Sequence, residues 1–318
     1  MTSKEKVVYH LKDKAIWLVL IVLIIGFTIA NHRFLTSNNL FMIARQVSMY
    51  GIASIGMTFV ILIAGIDLST GTIITFVNIV CAWLMVNHGV PMAIAALLSV
   101  ALATAVGLLN GAMVATVGMP AIIATFASQI VFEGAAYLLS GGKPIFGFDE
   151  RFKVIGQGFV GPVPIPVIIM IVCFAIGSFI LNKTYFGRYF YAVGGNEEAA
   201  RLSGIRVERM KYLIYALSGF FAGLAGMVML SRTNSAQPTA GKGWEFDVIT
   251  CVVLGGVSVS GGVGKFSNVI AGVLIIGALS NGMVLMNISS YTQMVVKGIV
   301  LAFAVGFDCF QKKRQVAK

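Results

Sequence analysis

Ten runs of mostly apolar residues, most of them close to the length of a bilayer crossing, leave this chain few ways to fold outside a membrane. A spanning helix needs about 20 such residues, and somewhat fewer where flanking side chains reach back to the interface. The runs lie at about 15–31, 46–65, 70–86, 92–117, 121–139, 164–182, 212–230, 245–258, 269–286 and 292–310. Only 11% of the 318 residues are charged and the mean hydropathy is +0.92, whereas soluble domains carry about 25% charge. A single soluble core is excluded. The expected architecture is an all-α polytopic membrane protein, one transmembrane domain over residues 1–318, with the short glycine-rich eighth run as a broken helix. Ala15 to Ala30 lacks a small-residue cleavage site and reads as a first span, not a signal peptide. The 36 glycines suit helices that approach closely in lipid.

Orientation follows from Lys and Arg, which gather on cytoplasmic loops. With both termini inside, the cytoplasm receives Lys4, Lys6, Lys12, Lys14, six basic residues between 182 and 211, Lys265, Lys312, Lys313, Arg314 and Lys318, fifteen in all. The outside receives seven: Arg33, Arg45, Lys143, Arg151, Lys153, Arg232 and Lys242. Residues 140–163 then form the main outer loop and 182–211 the main inner one. The net charge of +11 is accounted for by this asymmetry and does not call for nucleic acid.

The halves look related. Gly107-Leu108-Leu109-Asn110-Gly111 recurs loosely as Gly277-Ala278-Leu279-Ser280-Asn281-Gly282, each in the fourth run of its half. Asp67 opens the third run, and Glu245 and Asp247 open the eighth. Five runs per half, an odd number, would make the halves at about 15–139 and 164–310 an inverted repeat, a design that binds cargo near broken helices at the midplane. Chance matching of glycine-rich segments is the plain alternative.

Ionisable groups within spans are costly in hydrocarbon and usually face a cavity or a partner. Asp67 and Ser69 lie in Gly65-Ile66-Asp67-Leu68-Ser69-Thr70-Gly71, where either can cap the following helix. Gln129 and Glu133 are four apart and share one face of the fifth span. With Asn78, Asn110, Asn281 and Gln293 these are the candidates for a polar path, interhelical hydrogen bonding being the other use of such amides. Lys297 lies about 8 Å inside the last span at ~1.5 Å per residue, a depth at which it can pair with Glu133.

Catalytic signatures are missing. Cys81, Cys173, Cys251 and Cys309 each sit alone in an apolar run, with no metal-ligand or disulfide spacing. His10, His32 and His88 cluster with nothing. The run from Gly255 to Lys265 fails the phosphate-loop pattern, because Phe266 follows Lys265 where Ser or Thr is required. Neither a metal nor a cofactor is expected.

The inner loop holds a short helix with both ends marked. Asn196 can cap it, Glu197 and Glu198 suit the positive end of its dipole, and Gly204 can close it in the left-handed conformation. About two turns are too few to be stable alone in water, so a surface must cover it, either the membrane or a partner.

Several stretches together resemble the sugar-importing ABC permeases of the ribose type. They are Gly65-Ile66-Asp67-Leu68-Ser69, Gly107 to Gly111, Gly187-Arg188-Tyr189, Gly194 to Ile205, Ser235-Ala236-Gln237-Pro238-Thr239-Ala240-Gly241, and Glu245 to Gly264. The resemblance spans residues 34 to 308 and implies a bacterial inner-membrane homodimer with a cytoplasmic ATP-binding cassette ATPase and a periplasmic sugar-binding protein. It implies a non-catalytic transport subunit, ATP hydrolysis lying on the partner chain. It also implies that Asn196, Glu197, Glu198, Ala199, Ala200, Arg201, Leu202, Ser203 and Gly204 form the coupling helix that docks on the ATPase. The outward cations Lys143, Arg151, Lys153, Arg232 and Lys242 are candidates to meet the binding protein. Glu133 is a departure from this resemblance, since permeases of this type tend to carry Arg there. An ion-coupled secondary transporter is the rival reading, with Asp67 and Glu133 as its candidate carboxylates. A passive channel would need paired Asn-Pro-Ala half-helices, which the chain lacks. A non-transport scaffold would leave the polar span residues without a use.

Overall fold

The structure, a computed structural model, describes residues 3–316. Lys318, counted above among the cytoplasmic charges, lies outside the described residues. Apolar runs bounded by Gly, Pro and polar residues become helices, in order α1 (Ser3–Ala30), α2 (Ser37–Leu62), α3 (Thr70–His88), α4 (Met92–Ala115) and α5 (Ala121–Ser140). After α5 the chain makes a short 3-10 turn, the five-residue α6 (Lys153–Gln157) and a small hairpin, β1 (Phe159–Val160) against β2 (Val163–Pro164). Then follow α7 (Ile165–Lys183), α8 (Tyr185–Gly195), α9 (Glu197–Leu202), α10 (Val207–Thr233), α11 (Trp244–Leu254), α12 (Phe266–Leu285) and α13 (Ser290–Val316).

The protein is an all-α polytopic membrane protein. Among the described residues, α2, α3, α4, α5, α7, α10, α12 and α13 are long and apolar enough to cross a membrane. The apolar part of α1, Ala15–Ala30, is shorter, and α11 has only 11 residues. α10, α3 and α12 are the most buried of these, with α2 close behind, whereas α13 lies on the outside of the bundle.

Several helices extend past the apolar runs, and two polar segments depart most from the sequence reading. α2 starts at Ser37, well before the apolar run at 46, because its polar residues are satisfied by protein rather than water. Asn39 and Asn281 exchange amide hydrogen bonds at 2.9 Å each way, and Arg45 donates to the Gln157 carbonyl at 2.7 Å. The inner loop holds two helices instead of one, since α8 precedes α9.

Glycine permits a close helix crossing. At Gly107 an added Cβ would collide with the Tyr215 carbonyl oxygen, and at Gly219 with that of Ala103. α4 and α10 therefore meet backbone to backbone, the contact small residues permit in membranes. Gly219→Val is expected to force them apart, at a cost of about 1–3 kcal/mol for overpacking. Thermal unfolding in detergent checks this, an unchanged midpoint being the contrary result.

Candidate functional site

The face of the bundle that carries α9 is built on a fixed junction. An added Cβ at Gly194 would collide with the Leu62 carbonyl, which also accepts from the Gly262 N–H at 2.8 Å. The end of α2, the end of α8 and the glycine loop after α11 thus meet at one point. α9 follows directly. The Asn196 side chain accepts from the Ala199 N–H at 2.9 Å, and Glu197 and Glu198 occupy the first turn. Gly204 has φ +85°, a conformation in which a Cβ is strained. Glu197 accepts from Lys211 Nζ at 2.8 Å, and Arg201 lies 3.5 Å from Glu197 and 3.1 Å from Glu208. These contacts fasten α9 to the first turn of α10. Ala200 is buried, while Glu198 is exposed and Leu202 is 82% exposed.

Within the bundle the polar span residues form layers. Nearest α9, Asp67 is fully buried. Its Oδ1 accepts from the Ser69 N–H at 3.0 Å and the Ser69 hydroxyl at 2.5 Å, and its Oδ2 accepts from the Ser218 hydroxyl at 2.7 Å. Asn110 donates to Ser69 Oγ at 2.8 Å and accepts from the Ser128 hydroxyl at 2.5 Å. This chain ties the α2–α3 break to α4, α5 and α10. No side chain caps the start of α3, so the aspartate closes the loop rather than the helix.

The next layer surrounds the start of α11. Asp247 Oδ2 accepts from Lys297 Nζ at 2.7 Å and from the Tyr50 hydroxyl at 3.0 Å. Lys297 therefore pairs with Asp247, not with Glu133. Gln129 donates to Glu245 Oε1 at 3.3 Å, and Glu245 Oε2 is buried without a partner. Glu133 is half-buried on α5, within electrostatic range of Glu245. Asn78 is buried with an unpartnered Oδ1. Asn281 belongs to the amide pair with Asn39, and Gln293 donates to the Ile288 carbonyl at 2.9 Å at the start of α13.

The hairpin face carries the remaining cations. The Arg45 guanidinium stacks 4.8 Å from the Phe159 ring centre and acts electrostatically on Arg232. Gln157 Nε2 donates to the Arg232 carbonyl at 2.9 Å, and the Gly156 N–H donates to Ser231 Oγ at 2.7 Å. Lys143, Arg151 and Lys153 lie on this same side, in the segment between α5 and α7. Lys242 is set deeper. Its neighbour Gly241 donates to Thr75 Oγ1 at 2.8 Å, and Thr75 lies about 20 Å along α3 from His88 at ~1.5 Å per residue.

Tyr50, Asn39, Ser128 and Ser218 belong to these layers without having been singled out from sequence. Isolated hydroxyls and an amide at a helix start carry no periodic signal, and only their partners reveal them.

A family model described as branched-chain amino acid transport system / permease component matches residues 39–305. The chain belongs to this permease family. The permease is 44% identical over 294 residues to the ribose import permease protein RbsC of Bacillus subtilis, covering 92% of this chain and 91% of that protein. It is 42% identical over 295 residues to the protein of the same name from Escherichia coli K12, covering 92% of each. The L-arabinose transport system permease protein AraH of Escherichia coli K12 is 38% identical over 295 residues, 93% of this chain and 90% of that protein. No solved structure matches the permease. The matched region runs from Asn39 past Lys297, so every polar layer of the permease lies inside it.

Proposed function

We propose that the permease is the membrane subunit of an ATP-driven importer that passes a monosaccharide, ribose before others, from periplasm to cytoplasm by alternating access. The observation that carries this is its 40–44% identity, over more than nine-tenths of its length, to proteins named ribose import permeases. Two copies in the inner membrane, both termini cytoplasmic, would work with a cytoplasmic ATP-binding cassette ATPase and a periplasmic sugar-binding protein. Each copy crosses ten times, α1 and the half-helix α11 with its glycine loop adding to the eight long helices.

Reciprocal packing supports two inverted halves. α10 packs on α4 as α2 packs on α12, and α3 contacts α4 and α5 as α11 contacts α12 and α13. These are the contacts that exchange when the first five crossings are overlaid on the last five.

The residues divide into three roles. Asn196 to Gly204 form the coupling helix, and exposed Glu198 and Leu202 meet the ATPase. ATP-driven closure presses the two α9 helices together and rocks the bundle open to the outside. Lys143, Arg151, Lys153 and Arg232, with Arg45, receive the binding protein, and Lys242 lies near the path below them. The path uses the layer at Asn78, Gln129, Glu133 and Glu245, with Asp67, Ser69, Asn110, Asn281 and Gln293 holding its walls. A neutral polyol needs hydrogen-bonding groups rather than a net charge, and the Asp247–Lys297 pair neutralises itself.

Proteoliposomes containing the permease, its ATPase and its binding protein are expected to take up ribose only with ATP and the binding protein present. Uptake by the permease alone under a proton or sodium gradient would instead establish the ion-coupled reading.

A further inference from the structure

α13 is the least enclosed of the long helices, and none of its crossing stretch, Ser290–Phe310, is fully buried. It packs on α11 and is held there by two polar clasps. Lys297 Nζ meets Asp247 Oδ2 at the start of α11. Asp308 Oδ2 accepts from the Ser258 hydroxyl and from the Val259 N–H, each at 3.0 Å, in the glycine loop that follows α11. The clasps lie about 16 Å apart along α13 at ~1.5 Å per residue, close to three whole turns, so they share one face. Leu301 and Ala304 lie between them on that face and pack against the core. α13 is thus fastened to both ends of one unit, α11 and its loop. That loop also touches the chain entering α9. The Gly262 N–H donates to the Leu62 carbonyl, and an added Cβ at Gly262 would lie 2.7 Å from Gly195, the residue before Asn196. Tyr191 of α8 donates its hydroxyl to the Gly264 carbonyl at 3.0 Å. Within the loop, the Ser258 N–H donates to the Val263 carbonyl and the Gly261 N–H to the Ser258 carbonyl, both at 2.9 Å, so the loop is braced across itself.

We propose that Asp308 is a positioning residue for transport: by clasping α13 to the glycine loop, it makes a displacement of α9 carry α13 with it. In lipid, apolar helix faces gain little by packing on one another rather than on acyl chains. Polar clasps therefore decide whether an outer helix follows its neighbour, and contacts to an ionised acceptor are the strong ones. α13 bears Gln293 and Lys297, so its movement shifts the wall of the path and the layer around Asp247. The role of Asp308 rests on the coupling reading of α9 given above.

The test uses the assembled transporter, two copies of the permease with ATPase and binding protein, in a Cys309→Ser background because that thiol is exposed. Spin labels at Val263→Cys on the loop or Phe303→Cys on α13, both exposed positions, report the distance between the two copies by pulsed electron paramagnetic resonance. Each is read without nucleotide and with ATP trapped by vanadate. In the parent, both distances are expected to change on trapping. In Asp308→Leu the Val263 change persists and the Phe303 change is lost, and sugar carried per ATP falls about tenfold, the factor that one charge-assisted hydrogen bond supplies. Asp308→Asn, which keeps an acceptor for both donors, retains both changes. Ser258→Ala removes one donor, reduces the Phe303 change, and decides the matter if Asp308→Leu does not assemble. A Phe303 change untouched by these two variants, or loss of both changes together, overturns the clasp and leaves the coupling reading standing. A Val263 distance that stays fixed in the parent overturns the coupling reading and the clasp with it.

Discussion

Lys297→Met is expected to lower the unfolding temperature of the purified permease sharply and to abolish uptake. The ammonium sits 2.7 Å from Asp247 Oδ2, with the two side chains only 22% and 10% exposed. Removing one partner of a buried ion pair strands the other charge, at a cost of about 3–5 kcal/mol. Asp247→Asn alone should be similarly damaging, because the lysine then lacks its counter-charge at membrane depth. The double variant Asp247→Asn/Lys297→Met should regain most of the lost stability, since a pair replaced by neutral groups leaves no buried charge. Thermal unfolding in detergent reads all three. Single variants that unfold like the parent would mean the pair contributes nothing.

Gly204→Val should leave the bundle folded but cut sugar uptake by at least about tenfold. The left-handed conformation at φ +85° costs a residue with a side chain about 1–2 kcal/mol, close to a factor of ten in the population of the correct turn. β-branching makes that conformation harder still. The turn fixes the exit of α9, so its relaxation misaims Glu198 and Leu202 while the spanning helices keep their contacts. Glu198→Lys tests the same surface by charge. Both variants are expected to uncouple ATP hydrolysis from uptake in the assembled transporter, with sugar binding to the receptor unchanged. Normal uptake by both would remove α9 from the coupling role.

Much of this was legible in the sequence because lipid is a severe solvent. The helices that cross it must be apolar, and their ends are marked by Gly, Pro and polar residues, so α3, α5, α7 and α12 lie close to the apolar runs that announce them. The cap at Asn196 and the turn at Gly204 were legible for a local reason: both depend only on neighbours in the chain. Partners across helices were not. Whether Lys297 reaches Glu133 or Asp247 depends on how α13 is rotated against α11 and α5, which periodicity does not encode. The depth of Lys242 was hidden similarly. The segment after α10 turns back toward Thr75 and Gly71, and nothing in its composition distinguishes that course from an outer loop.

The 27 residues of α10 make a rod about 40 Å long at ~1.5 Å per residue. At one end Lys211 grips Glu197 of α9; at the other, Ser231 and Arg232 hold Gly156 and Gln157 of α6, just before the hairpin. Under the coupling role proposed for α9, a push on the small helix would need no relay of rearranging side chains to reach the far end of the bundle, because one continuous helix is held at both ends.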